Sequence, residues 1–236
     1  MKNKGEEDNM NNRILNTEEI ILRLIQEEYS NRLSRMDTTQ SQLEKEVNYF
    51  KQEFEFSFNK IMLEETREVP DLNIEIIPSG EFNIGLDSGF DGTALYLRSK
   101  KRSTEELYII SQGSQDIKDW EYNAKSMLAG LDTDQAKDTN KFITFVKEHL
   151  DISHTVPVIG LAHSLAHNNN MTSHLISGDF DEIYSVNGAQ TNFYQLVNED
   201  DSFMEAVLNN FPVPPNNYMA IYDLDPKELH DFAQEY

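Results

Sequence analysis

The sequence predicts an α/β fold: a mostly parallel sheet with helices on both faces, preceded by a helical N-terminal segment. Three observations carry that expectation. Up to Pro70 the apolar residues recur at helical spacing, and beyond it they shorten into β-branched runs. Further on, strands and helices alternate, the order that builds parallel strands joined by crossover helices. The run VPVIGLAHSLAH, from Val156 to His167, reads as a buried strand in its first half and as the opening of a helix in its second.

Residues 1–13 have the charged, amide-rich composition of a frayed tail, and Asn16 with Glu19 resembles a capping box that starts a helix. Ile20, Ile21, Leu24, Ile25, Tyr29 and Leu33 then share one helical face. After a polar break Leu43, Val47, Phe50, Phe54, Phe58 and Ile61 repeat the pattern, so two amphipathic helices are expected, with stripes that serve packing. The expected organisation is a tail with two helices over 1–69 and an α/β domain over 70–236. In that second part strands are expected at Leu72–Ile77, Thr93–Leu97 and Leu107–Ser111, the last two forming a hairpin across the charged turn from Ser99 to Glu106. Helices near Trp120–Leu128 and Asp134–Leu150 precede a strand at Val156–Leu161 and a helix from about Ser164. A strand at Glu182–Val186, a helix at Asp201–Asn209, a strand at Tyr218–Tyr222 and a helix after Pro226 complete the series.

Charge and composition narrow the function. Asp and Glu number 42 against 20 Lys and Arg, a net charge of -22 that repels nucleic-acid phosphates and anionic headgroups. The 13 Phe and 10 Tyr supply the bulk of a folded core, which a disordered acidic chain lacks. The absence of cysteine excludes a disulfide framework, a thiol nucleophile and Cys-ligated zinc. No apolar stretch reads as a secretory signal or a membrane span, so a cytoplasmic setting is expected.

Ser164 stands where the predicted strand turns into a helix. A serine on such a turn exposes its hydroxyl at the carboxyl end of the sheet, provided that the residues two places away are small, and here they are Ala162 and Ala166. Taken alone, the pattern is more often that of a serine capping a helix. A second segment, ELYIISQGSQDIKDW from Glu106 to Trp120, adds to it. With Gly113, Ser114 and Trp120 in one motif and His163, Ser164 and Leu165 in the other, the chain over about residues 72–225 resembles the class 3 lipases, which have an α/β-hydrolase fold. Gln112 stands where that family has arginine, and the two alanines stand where it has glycine.

That resemblance implies a serine hydrolase acting on a carboxylic ester, either a small ester or an acyl lipid, through an acyl-enzyme and with no cofactor. Ser164 would attack, and backbone N–H groups of Ser114 and Leu165 would hold the oxyanion. The family order of Ser, Asp, His makes Asp223 the acid, with Asp225 as alternative; either one equally suits the capping of the helix after Pro226. The base is unassigned. His230 follows Asp223 too closely to fold back onto Ser164, so the chain is a fragment, the histidine comes from elsewhere, or catalysis has been lost; the fragment is the expectation.

His163, His167 and His174, spaced by four and seven residues, raise a metal site, but no carboxylate accompanies them and none is expected. The amides Asn168 to Asn170 find no explanation in the sequence. A competing reading makes the fold a non-catalytic binding module whose helices from Asn16 to Ile61 present a surface to a protein partner.

Overall fold

The structure is a computed structural model that describes residues 13–30, 40–68, 71–84, 88–101, 103–112, 134–189, 191–214 and 216–236. Among these, helices α1 (Glu18–Ser30) and α2 (Gln40–Thr66) precede strands β1 (Leu72–Pro78), β2 (Gly92–Ser99) and β3 (Glu105–Ser111). Helix α3 (Asp134–His149), strand β4 (Val158–His163), helix α4 (Leu165–Ser177) and strand β5 (Glu182–Val186) follow. Helices α5 (Tyr194–Glu199), α6 (Asp201–Asn210) and α7 (Pro226–Glu235) end the chain. The helix expected near Trp120–Leu128 lies outside the described residues.

The five strands form one sheet in the order β1-β2-β3-β4-β5. Pairs β1–β2 and β2–β3 are antiparallel, and β3–β4 and β4–β5 are parallel. The sheet is therefore mixed rather than mostly parallel. The reason is local: residues 100–104 between β2 and β3 are far too few for the crossover of a dozen or more that a parallel pair needs, and among the described residues between β1 and β2 the chain forms only the 3-10 turn Ser79–Phe82. Alternation starts only at β3.

Side chains alternate across the strands and feed two cores. Leu95, Leu97, Tyr108, Ile110, Ile159 and Leu161 face α1 and α2, whose Ile20, Leu24, Phe54 and Phe58 are fully buried. Ala94, Tyr96, Leu107, Ile109 and Val158 face the other way, onto Phe142, Ile143 and Val146 of α3. Helices thus cover both faces. Each fully buried aliphatic or aromatic side chain contributes roughly 1.5–3 kcal/mol, which is what holds the N-terminal pair of helices to the sheet. A third cluster, including Leu196, Phe203, Val207, Ile221 and Leu229, packs α5 to α7 together.

Three local expectations need correction. Thr17, not Asn16, supplies the helix cap, its Oγ1 accepting the Ile20 N–H at 3.3 Å. Arg13 is not frayed but is ion-paired to Glu106 and Glu182. Residues Tyr218–Asp223 form a 3-10 helix instead of a strand; Ile221 turns into the third cluster, away from any sheet neighbour. Among the described residues no helix is long and apolar enough to cross a membrane.

Candidate nucleophile site at the β4–α4 turn

Strand β4 lies between two parallel neighbours, and Ser164 is the single residue between it and α4. Its backbone has φ 55° and ψ -123°. A side chain rarely tolerates positive φ, and holding a non-glycine residue there costs about 1–3 kcal/mol. Neighbouring backbone enforces the bend. The Ser164 N–H donates to the Val186 carbonyl at 3.2 Å, and the Ser164 carbonyl accepts from His167 N–H at 3.1 Å and Ala189 N–H at 2.9 Å. The side chain makes no cap hydrogen bond to α4 and is half-buried, so the hydroxyl is not committed to the helix.

The turn also needs α4 close to β4. A Cβ on Gly160 would stand 2.9 Å from Asn170 Nδ2 and 3.1 Å from a Phe180 ring carbon, so any larger residue would have to push these side chains aside. Ala162 and Ala166 are fully buried, their methyl groups accommodated beside the bend. Leu165, the first residue of α4, is likewise buried, and its N–H belongs to the unpaired first turn of a helix, where partial positive charge gathers.

Asn168 to Asn170, unexplained by the sequence, are buried and pin α4 on three sides. Asn168 Nδ2 donates to Gln195 Oε1 on α5 at 3.1 Å, and Asn169 Nδ2 to Gln135 Oε1 on α3 at 2.8 Å. Asn170 Oδ1 accepts from the Ser111 hydroxyl at the end of β3, at 3.1 Å. Three amides in the first turns of a helix were the only signal, and their partners lie 27 to 59 residues away.

The other expected site residues fare differently. The register pairs Ser111 with Ala162, which brings the end of β3 alongside the turn, and Gln112 there is buried. Gly113, Ser114 and Trp120 lie outside the described residues. Asp223 is exposed at the end of the 3-10 helix, not at the end of a strand. Asp225 caps α7, accepting from the Lys227 and Glu228 N–H groups at 2.7 and 3.3 Å. His230 is exposed on α7, its ring edge-on to Phe193 with centroids 5.0 Å apart.

The three histidines considered for a metal do not share a helix, since His163 ends β4. His174 Nδ1 lies 3.4 Å from the Phe180 N–H. The His167 ring bonds through Nδ1 to the Ala189 carbonyl at 2.8 Å and lies against Gly188.

A second polar cluster occupies the opposite end of the parallel strands. Glu106, the second residue of β3, and Glu182, the first of β5, are bridged by Arg13. The buried Tyr108 hydroxyl donates to Glu106 and accepts the Leu15 N–H at 3.2 Å. Burial, then the Glu106 charge, pushes that phenol well above its usual value. Burial and the Glu182 carboxylate push Tyr184 up to about 12. Burial works to raise Glu182 itself, but hydrogen bonds from Arg13 and Tyr184 together with the Arg13 charge hold it below its usual value. This cluster fastens the N-terminal segment to the sheet.

Comparison with known proteins identifies a family. The model of DUF6792, a domain of unknown function, matches residues 19–236, and the chain belongs to that family. It is also similar to the uncharacterized protein YvcB of Bacillus subtilis (strain 168), at 35% identity over 96% of this chain. The match takes in 36% of YvcB, so the chain spans about a third of that relative's length. No solved structure matches.

Proposed function

We propose that this chain is a serine hydrolase of α/β-hydrolase type, cleaving a small carboxylic ester or an acyl lipid through an acyl-enzyme on Ser164. The observation that carries the reading is the Ser164 backbone, φ 55° and ψ -123°, between a parallel strand and the helix that follows it. A strained turn at a strand–helix junction lifts the hydroxyl to the rim of the sheet beside the first N–H groups of α4. Negative charge developing on a substrate carbonyl oxygen would meet the Leu165 N–H, and Ser114 is proposed as the second donor; one such donor is worth roughly 3 kcal/mol. The chemistry calls for no cofactor. A panel of esters of graded chain length, run on the protein and on Ser164→Ala, tests the reading: turnover that disappears with the hydroxyl is expected, and turnover indifferent to it contradicts the proposal.

A second reading, a lipase-like fold kept for binding, has an observation of its own. Tyr49, Phe56 and Leu63 are exposed on α2 at every seventh position, the spacing of a seam that another helix can occupy. Ester turnover that depends on Ser164 eliminates it.

A further inference from the structure

Resting on the reading of Ser164 as nucleophile, we infer that His167 is its general base and that the Ala189 carbonyl replaces the orienting acid. Ser164 is the cap of α4 and His167 its third residue. The Ser164 carbonyl accepts the His167 N–H at 3.1 Å, so one turn of backbone joins the two residues.

The ring's tautomer follows from its partner. A carbonyl oxygen only accepts, so the 2.8 Å bond to Ala189 places the hydrogen on Nδ1. In the neutral ring Nε2 then carries the lone pair, the arrangement that a base needs. The position is rigid as well. A Cβ at Gly188 would stand 2.6 Å from the His167 Cγ, so the loop lies flat on the ring. That loop is bonded to the Ser164 backbone on both sides, through the Val186 carbonyl and the Ala189 N–H. Hydroxyl and imidazole therefore share one frame.

His174 is ten residues from Ser164, about 15 Å along α4 at the helical rise, and His230 packs on Phe193.

The proton inventory closes. Ser164 Oγ bonds to the ester carbonyl carbon while its proton passes to Nε2. The leaving alkoxide takes that proton as its C–O bond breaks, leaving the acyl-enzyme. Water then gives a proton to Nε2 and its oxygen to the acyl carbon, and Nε2 returns the proton to Ser164 Oγ as the acid departs. Hydrogen bonds of this kind tighten only when substrate binds.

The test is the rate at which a fluorophosphonate labels the full chain, for the native protein, His167→Asn and His167→Ala. Asparagine keeps a donor for Ala189 without a base, and alanine leaves room for added imidazole. The expected result is labelling about 100- to 10,000-fold slower in both variants, with imidazole restoring part of the rate in His167→Ala. Native-like labelling of His167→Asn overturns this inference and leaves Ser164 as nucleophile. A loss that imidazole does not touch makes His167 a packing residue and also overturns it. A native protein that is folded and unlabelled overturns both readings.

Discussion

Gly188→Ala couples the loop to the proposed base and is worked out first. The new Cβ would lie 2.6 Å from His167 Cγ, 2.8 Å from Nδ1 and 2.9 Å from its Cβ. Ordinary carbon contacts fall at roughly 3.5–4.0 Å, so the overlap is about 1 Å. Rotating the ring does not relieve it, because the crowded atoms include the Cβ attached to the helix. Either the loop lifts or α4 yields, and the bond to Ala189 lengthens from 2.8 Å. Overpacking of this kind costs about 1–3 kcal/mol, and a chain of this size loses roughly 2–4 °C of Tm per kcal/mol. A displacement of about 1 Å at a catalytic group lowers rate on the order of 100-fold. Thermal melting and fluorophosphonate labelling read the two effects separately. An unchanged Tm would show that the loop does not press on the ring. A lowered Tm with native labelling would detach His167 from catalysis.

Further outcomes follow from the same geometry. Ser164→Gly relieves about 1–3 kcal/mol of backbone strain and pays back roughly 0.5–1 kcal/mol of chain entropy, so it melts no lower than the native protein while losing all labelling; a clear drop in Tm would contradict the strained turn. Tyr108→Phe removes the buried donor to Glu106 and the acceptor of the Leu15 N–H, with an expected cost of about 1–3 kcal/mol in denaturant unfolding and no loss of ester turnover. Glu182 titrates below its usual 4.5 in the folded protein, so the stability it contributes is present above that pH and is lost as pH falls through the folded value. Glu182→Gln should therefore flatten the acid limb of a Tm-against-pH curve, and an unaltered limb would remove Glu182 from the account. Asp225→Ala deletes the α7 cap at a cost of about 1 kcal/mol, whereas Asp223→Asn leaves both stability and turnover within twofold of native; a large rate loss in Asp223→Asn would return the orienting role to that residue.

What could be read in the sequence was whatever local patterning decides. The five strands are bounded by polar and turn residues, and the stripes of α1 and α2 repeat at 3.6, so their existence follows from side-chain period alone. Ser164 was legible for the same reason, since a strand that becomes a helix within one residue must bend there. What escaped depends on distant partners. Tyr218–Tyr222 has strand composition, but Ile221 finds its burial among helices. The amides at 168–170 made no sense until Ser111, Gln135 and Gln195 converged on them. In the sequence His167 showed only as one of three spaced histidines, because the Gly188 and Ala189 that fix its ring belong to a loop beyond β5. The antiparallel β2–β3 pair was legible as a hairpin, whereas the antiparallel pairing of β1 with β2 was hidden by the alternation that follows.

The most direct test of the central claim is the intact mass of the protein after fluorophosphonate treatment, followed by peptide mapping. A single adduct on Ser164, absent from Ser164→Ala, is the predicted result. A folded protein with no adduct, or one modified to the same extent in Ser164→Ala, contradicts the account.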